Sequence, residues 1–186
     1  MEQALVSRAR RGDAKAFRRI FDRHAPAVRR FLRDLIRDPA SADEAAQETF
    51  VRAHRALPTL RDGTRLGPWL FGIARNVFRE RSRAFKKQQR HSEFREEALA
   101  ESSARFVAPS PQDELLRRES DVMLRQALEK LTDDRRTALV LRLDHQLGYP
   151  EIAKVMDWTP SKVKNEIHRA RLQLRDSLKS YLKGVS

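Results

Sequence analysis

Apolar positions recur at intervals of three and four residues along almost the whole chain. In the segment 160–181, Val163, Ile167, Ala170 and Leu174 are separated by four, three and four positions, which places them on one face of a helix. No alternating apolar and polar run is long enough to predict a strand. The pattern therefore predicts an all-α protein. The predicted helices are 2–11, 13–36, 41–57, 67–87, 112–130, 132–144, 149–156 and 160–181.

Polar residues mark the start of three of these helices. Ser41, Thr132 and Thr159 stand where helix N-caps are expected, because a side-chain oxygen there accepts a hydrogen bond from a free backbone amide. Acidic residues follow Ser41 and Thr132, where the positive end of the helix dipole favours negative charge. Pro160 follows the third at a position where proline suits the first turn.

The segment 91–111 separates two helical halves. It contains Pro109 and Pro111, several serines and few bulky apolar residues, a composition typical of a tether. We therefore predict two small helical domains, 1–90 and 112–186, joined by a flexible linker.

The charge of the chain indicates a polyanionic partner. Its 186 residues include 39 Lys and Arg against 26 Asp and Glu, a net charge of +13, and 22 of the basic residues lie in the first 90. Such a surplus in a globular chain is typical of nucleic-acid binding. We therefore expect nucleic acid as the leading candidate partner.

Few features favour an enzyme or a membrane protein. The chain has no cysteine, its five histidines do not fall into metal-ligand spacing, and neither a glycine-rich phosphate loop nor a nucleophile motif is present. No window approaches the roughly 18 apolar residues of a membrane helix. We expect a cytoplasmic, non-catalytic protein with no metal, no cofactor and no membrane insertion.

The C-terminal segment is typical of a helix-turn-helix. A short helix at 149–156 ends at a sharp turn containing Asp157, which tolerates a left-handed backbone, and a longer helix starts at Pro160. A solvated charged helix is the alternative, but the preceding turn and short helix favour a helix that lies in a DNA major groove. The candidate contacts are Thr159, Ser161, Lys162, Lys164, Asn165, His168, Arg169 and Arg171.

The N-terminal half combines an acidic island with a basic helix. No basic residue lies between Arg37 and Arg52, where four acidic residues occur, and the predicted inward positions leave one edge of the helix for a positively charged protein. The simpler explanation is that acids near a helix N-terminus stabilise the helix dipole. It covers Asp43 and Glu44, but Glu48 lies about two turns into the helix.

The next predicted helix, 67–87, is basic. Trp69 and Ile73 are predicted to lie on its buried face, and its cations are dense enough to follow a phosphate backbone. Those polar and cationic residues are Arg75, Asn76, Arg79, Arg81, Arg83, Lys86 and Lys87.

The segments SADEAAQETFVRAHRAL, WLFGIARN, LTDDRRTALVLRL, GYPEIAKVM and SKVKNEIHRARLQLR resemble, in order and spacing, the extracytoplasmic-function (group IV) sigma factors of bacterial RNA polymerase, members of the sigma-70 family. The resemblance covers about 5–87, as region 2, and 112–182, as region 4. It implies a specificity subunit that acts in the bacterial cytoplasm at the nucleoid. The implied partners are core RNA polymerase (the β′ clamp helices and the β flap), promoter DNA and an anti-sigma factor.

The resemblance also implies roles for particular residues. The loop from Arg61 to Gly67 would capture a flipped minus-10 base, the helix after it would meet the adjoining duplex, and the helix from Pro160 would read the minus-35 element. Glu166, Asp157 and Pro150 depart from the residues frequent in the family, and Glu166 bears on the minus-35 preference. The implied sites are Asp43, Glu44, Gln47, Glu48 and Val51 for polymerase, and Arg61, Asp62, Gly63, Thr64, Arg65, Arg75, Asn76, Arg79 and Arg83 for minus-10 DNA.

Two other functions compete with this one. A helix-turn-helix regulator that binds an operator without joining polymerase would need a self-complementary dimer surface and a palindromic site. A basic RNA-binding or ribosome-associated protein is disfavoured by the lack of RNA-module motifs.

Overall fold

A computed structural model describes residues 2–61, 65–92, 122–124 and 126–183, and every regular element in that part of the chain is helical. The all-α prediction is therefore confirmed. A 3-10 turn, Leu57–Thr59, follows the third helix, and residues 122–124 and 126–129 are helical as well. The main helices are α1 (Glu2–Arg10), α2 (Ala14–Leu35), α3 (Pro39–Ala56), α4 (Leu66–Ser92), α5 (Asp133–Leu143), α6 (Tyr149–Met156) and α7 (Pro160–Lys183).

Helices α1 to α4 pack around the apolar stripe of α2. Phe31 and Leu32 are fully buried, and Phe31 meets Phe71 of α4 edge-to-face with ring centroids 5.2 Å apart. Phe21 meets Phe50 of α3 in the same way at 4.7 Å. Burying each such side chain contributes about 1.5–3 kcal/mol. This packing fixes α3 and α4 against α2, leaves one edge of α3 exposed, and turns another side of α4 toward the second half of the chain.

The start of α3 differs from the prediction. The helix begins at Pro39, and Asp38 is its N-cap, with Oδ2 accepting the Ser41 amide at 2.7 Å. The prediction that Ser41 caps this helix is wrong, because Pro39 suits the first helical position and shifts the start two residues earlier. The other two predicted caps are confirmed: Thr132 accepts from the Arg135 amide at 3.4 Å, and Thr159 from the Lys162 amide at 3.2 Å.

Helices α5, α6 and α7 form a second packed unit. Leu141, Ile152 and Ile167 are at most 1% exposed and meet at its centre. Between α6 and α7 the chain turns at Asp157, whose φ of 54° and ψ of 48° lie in the predicted left-handed region. Short helix, tight turn and long helix therefore form a helix-turn-helix, with α7 as its second helix.

The two halves of the chain are in contact. Their buried residues form one continuous cluster, and the His145 ring packs against Phe31 and Phe71, with centroids 5.6 and 4.8 Å apart. The guanidinium of Arg136 lies 5.6 Å from the centre of the Phe78 ring. All but the first two residues of the predicted linker lie outside the described residues, and α4 continues to Ser92. The domain boundaries and the flexibility of the linker stay predictions.

Candidate nucleic-acid and protein interfaces

The five residues implied for polymerase contact follow one edge of α3. Glu44 and Gln47 are exposed, Asp43 and Glu48 are half-buried, and Val51 is 44% exposed despite being apolar. The opposite side of the helix faces the core, as the spacing of its alanines and Phe50 requires. We name these five residues the α3 edge.

Each carboxylate of the α3 edge is paired with an arginine. Arg33 of α2 donates to both oxygens of Asp43 at 3.0 Å, and Arg81 of α4 donates to Glu44 and to the Ser41 carbonyl, both at 3.2 Å. Sequence spacing could not reveal these partners, because they come from other helices. The α3 edge is therefore less negative than its composition indicates, and Arg81 is engaged in this pair.

Arg52 lies between two carboxylates at the end of the α3 edge. Its Nε donates to Glu48 at 2.7 Å, and its Nη1 donates to Glu80 of α4 at 2.8 Å. The hydrogen bond from Arg52 lowers the pKa of Glu80. The pair with Glu80 ties α3 to α4 beside the residues implied for minus-10 DNA.

Three of the four implied minus-10 residues on α4 share a groove, and the fourth does not. Asn76, Arg79 and Arg83 line a shallow groove between α3 and α4 together with Arg52. Arg75 is 6% exposed and donates instead to Asp134 of α5 at 3.3 Å. Burial lowers the pKa of Arg75. In this arrangement Arg75 therefore has an acidic protein partner in the position where the resemblance implies DNA.

The loop before α4 is described in part. Arg61 and Arg65 are exposed, and Arg65 donates to Glu151 in the first turn of α6. The implied minus-10 residues Asp62, Gly63 and Thr64 lie outside the described residues.

All eight candidate minus-35 residues are exposed. Val163, Ile167 and Ala170 are at most 1% exposed and fix the inner face of α7, so the polar residues between them point outward. Trp158 packs partly against the core, and Lys162 Nζ lies 4.6 Å from the centre of its ring. The exposed set comprises Thr159, Ser161, Lys162, Lys164, Asn165, His168, Arg169 and Arg171.

Further ion pairs join the two halves. Asp133 of α5 accepts from Ser82 at 2.7 Å and from Lys86 at 2.6 Å, both on α4. Arg37 pairs with Glu129, and Arg30 lies 3.7 Å from Asp144. Sequence reasoning placed Lys86 among the cations for a phosphate backbone, whereas here it meets a carboxylate.

The described residues contain no group of three or more His, Asp and Glu side chains able to hold a metal ion. None of the helices in the described part is long and apolar enough to cross a bilayer.

Two family models match the chain on either side of the predicted linker. Sigma-70 region 2 matches residues 20–91, and Sigma-70, region 4 matches residues 121–174. The RNA polymerase sigma-H factor of Pseudomonas aeruginosa is 30% identical, over 98% of this chain and 96% of its own length. The chain belongs to the extracytoplasmic-function sigma factors of the sigma-70 family.

Other relatives of this sigma factor agree in length as well as sequence. The RNA polymerase sigma factor CarQ of Myxococcus xanthus is 35% identical, over 93% of this chain and 95% of its own. Two solved structures each have a TM-score of 0.68 and 26% identity. The sigma factor RpoE with the anti-sigma factor NepR from Bartonella quintana covers 89% of this chain and 98% of its own, and CnrH with the cytosolic domain of CnrY covers 96% and 97%.

Each of the two matched regions of the sigma factor contains a different candidate interface. The region 2 match contains the α3 edge and the groove beside α4, and the region 4 match contains the helix-turn-helix. The contacts between Arg75 and Asp134 and between Lys86 and Asp133 join one matched region to the other.

Proposed function

We propose that this sigma factor binds core RNA polymerase through the α3 edge and directs initiation at promoters with a minus-10 and a minus-35 element. The observation that carries the proposal is the exposed polar face formed by Thr159 and seven residues of α7, opposite a fully buried stripe, on a chain whose other half matches sigma-70 region 2. A helix-turn-helix with such a face fits a major groove. Polymerase supplies the chemistry of RNA synthesis.

The α3 edge suits a basic partner surface in spite of its internal ion pairs. Pairs at a solvent-exposed surface are worth about 0–1 kcal/mol each, so a partner that offers cations can replace Arg33 and Arg81 at small cost. Gln47 and Val51 add an amide and an apolar contact to the same edge. The paired acids of this edge offer promoter DNA no cationic surface, so DNA and polymerase are assigned to different surfaces.

The minus-10 element is handled by the groove on α4 and the loop before it. Asn76 carries an amide able to pair with a base edge, and Arg79 and Arg83 are cations for the adjoining phosphates. Taking one base out of the stack costs a few kcal/mol, which this surface must offset. The α7 face then holds the minus-35 duplex. Joining both sites in one chain makes the second contact intramolecular.

Control by an anti-sigma factor is part of the proposal. RpoE and CnrH were each solved in complex, one with the anti-sigma factor NepR and the other with the cytosolic domain of CnrY. The high coverage of both structures supports an equivalent partner for this chain.

Co-purification and run-off transcription with core RNA polymerase test the proposal. The sigma factor should bind core enzyme and produce defined start sites. Failure of core enzyme to bind it or to initiate specifically would refute the proposal and would favour an operator-binding regulator instead.

Variants of the α3 edge test the polymerase site. The double change Gln47→Ala and Glu48→Ala should weaken core binding at least tenfold and leave the circular dichroism spectrum unchanged, because both side chains lie outside the core. Asp22→Ala, an exposed acid on α2, is the matched control. Equal core affinity of the double variant and the wild type would remove this site assignment.

Variants of α7 test the minus-35 site. Lys162→Ala and Arg169→Ala should each reduce transcription at promoters that depend on the minus-35 element, and lower the salt slope of binding by about 0.9 for each lost phosphate contact. Lys179→Ala removes a cation from the same helix near its C-terminal end and serves as the control. An equal loss at promoters without that element would contradict the assignment.

A further inference from the structure

Glu166 lies on the DNA-reading helix but is turned away from its exposed face. Its side chain is 15% exposed, whereas that of Arg169, one turn later, is 61% exposed. A carboxylate on this helix that pointed outward would repel phosphate or accept from a cytosine amino group. The low exposure of Glu166 favours neither role.

Both oxygens of Glu166 are held by arginines. Arg135, from the first turn of α5, donates through Nε to Oε2 at 2.7 Å, and Arg169 donates through Nη1 to Oε1 at 2.9 Å. Arg135 also donates to Gln173 Oε1 at 3.4 Å, and Gln173 donates to the Lys130 carbonyl at 2.8 Å. The network therefore ties α7 to α5 and to the chain just before it.

The electrostatics of the network keep Glu166 ionised. The hydrogen bond from Arg135 lowers its pKa, and Arg169 adds to the effect. Two guanidinium groups around one carboxylate leave one net positive charge. Arg135 and Arg169, whose side chains are 28% and 61% exposed, border one open groove that Asp176 also lines, so part of that positive charge reaches solvent beside α7.

We propose that Glu166 is a positioning residue that holds Arg135 and Arg169 side by side, and that Arg135 is a phosphate-binding residue for the minus-35 duplex. This inference rests on the proposed function. An arginine side chain has about 2 kcal/mol of rotamer entropy to lose on binding, so a carboxylate that fixes two of them in advance improves phosphate binding. The proposal requires this gain to exceed the repulsion from a carboxylate whose two oxygens are both held by guanidiniums.

The sign of one substitution tests the proposal. Glu166→Gln removes a negative charge from a DNA-binding helix, so simple electrostatics predicts tighter binding. We expect the reverse: binding of holoenzyme to a promoter with an intact minus-35 element should weaken roughly tenfold, as for the loss of one well-placed arginine contact. Asp176→Asn, which removes a carboxylate from the same helix and the same groove, should bind as well as the wild type or better.

Base substitutions in the promoter separate positioning from base reading. The loss caused by Glu166→Gln should be uniform when each minus-35 base pair is changed in turn, because the affected contacts are to phosphates. Relaxed preference at one position, or binding as tight as that of Asp176→Asn, would overturn the proposal.

Arg135→Gln tests the network from α5 without changing any residue of α7. It keeps the proposal testable if Glu166→Gln fails to fold. It should lower the salt slope of minus-35 binding by about 0.9. An unchanged slope would overturn the phosphate-binding role of Arg135. A wild-type holoenzyme that does not distinguish intact from scrambled minus-35 elements would instead refute the proposed function itself, and the inference with it.

Discussion

Asp34 and His145 lie together where the two halves of the chain meet. Asp34 Oδ2 is 3.9 Å from His145 Nε2, too far for a hydrogen bond. Burial, followed by the nearby Asp144, raises the pKa of Asp34 to about 6, and Arg30 opposes the shift. Burial also lowers the pKa of His145, with Arg30 adding to the shift and Asp144 opposing it. Near neutral pH the site therefore disfavours both charged forms.

The shifts of Asp34 and His145 act on stability with opposite signs. The folded state retains the Asp34 proton to higher pH than the unfolded state, so the contribution of Asp34 becomes less favourable between pH 3.8 and about 6. His145 is neutral in the folded state at a pH where the unfolded chain already binds a proton. Its contribution therefore becomes more favourable as the pH rises toward 6.5.

Asp34→Asn should stabilise the protein at pH 7 and have much less effect near pH 4. Asparagine resembles the protonated acid and cannot ionise, so the variant avoids partial desolvation of a charge and its repulsion from Asp144 at neutral pH. Solvent reduces the size of this effect, because the Asp34 side chain is 33% exposed. Chemical denaturation at pH 4, 5.5 and 7 measures the difference. Asp22→Asn, on the exposed side of α2, is the control. A difference that grows toward acid pH would contradict the assigned direction of the Asp34 shift.

At the level of helices, α3 shows which features of the fold follow from local sequence. The periodicity of Ala46, Phe50 and Ala53 predicts its buried face, and all three are buried. Its predicted start at Ser41 is wrong because Asp38 and Ser41 both suit an N-cap, and Pro39 at the first helical position selects Asp38. Helix-to-helix pairs such as Arg33 with Asp43 are unpredictable for another reason: periodicity gives a helix its face but not the residue opposite it.

The cap of α3 can be tested with a matched pair of variants. Asp38→Ala removes the acceptor for the Ser41 amide and should lower the thermal midpoint by about 2–4 °C. Ser41→Ala leaves that backbone amide and its acceptor in place and should have a smaller effect. Thermal unfolding followed by circular dichroism compares the two. A larger loss for Ser41→Ala would restore serine as the cap.

At the scale of the whole molecule, the halves meet through a small aromatic cluster surrounded by ion pairs. The sequence predicted two helical bodies but not this contact, because each charge involved already had a plausible role toward DNA or solvent. The sequence predicts Arg75 and Lys86 as phosphate contacts, whereas in the structure they pair with Asp134 and Asp133. The Lys86–Asp133 pair is partly exposed and weakens with salt, whereas the pair of the buried Arg75 with Asp134 is screened less.

Loss of the carboxylates of Asp133 and Asp134 should weaken the contact between the two halves of the chain. The double change Asp133→Asn and Asp134→Asn removes the carboxylates that face Lys86, Ser82 and Arg75. Small-angle scattering of the free sigma factor should then give a larger radius of gyration than the wild type at low salt. The two should differ less near 1 M salt, where the Debye length is about 3 Å. Asp22→Asn is the control, and equal radii at low salt would contradict the prediction.

If the two halves separated, the charged residues on the two sides of the contact would differ in how well their charges are compensated. Asp133 and Asp134 lie in the first turn of α5, so the amides at that helix end still attract their negative charge, and Arg136 stays 3.4 Å from Asp133. Arg75 has no equivalent local partner, because Asp134 and Asp157, the two acids that favour its charged form, both leave with the departing half. In an opened molecule the two aspartates therefore keep local compensation for their charge, whereas Arg75 is hydrated without an acidic partner, which favours contact of α4 with a polyanion.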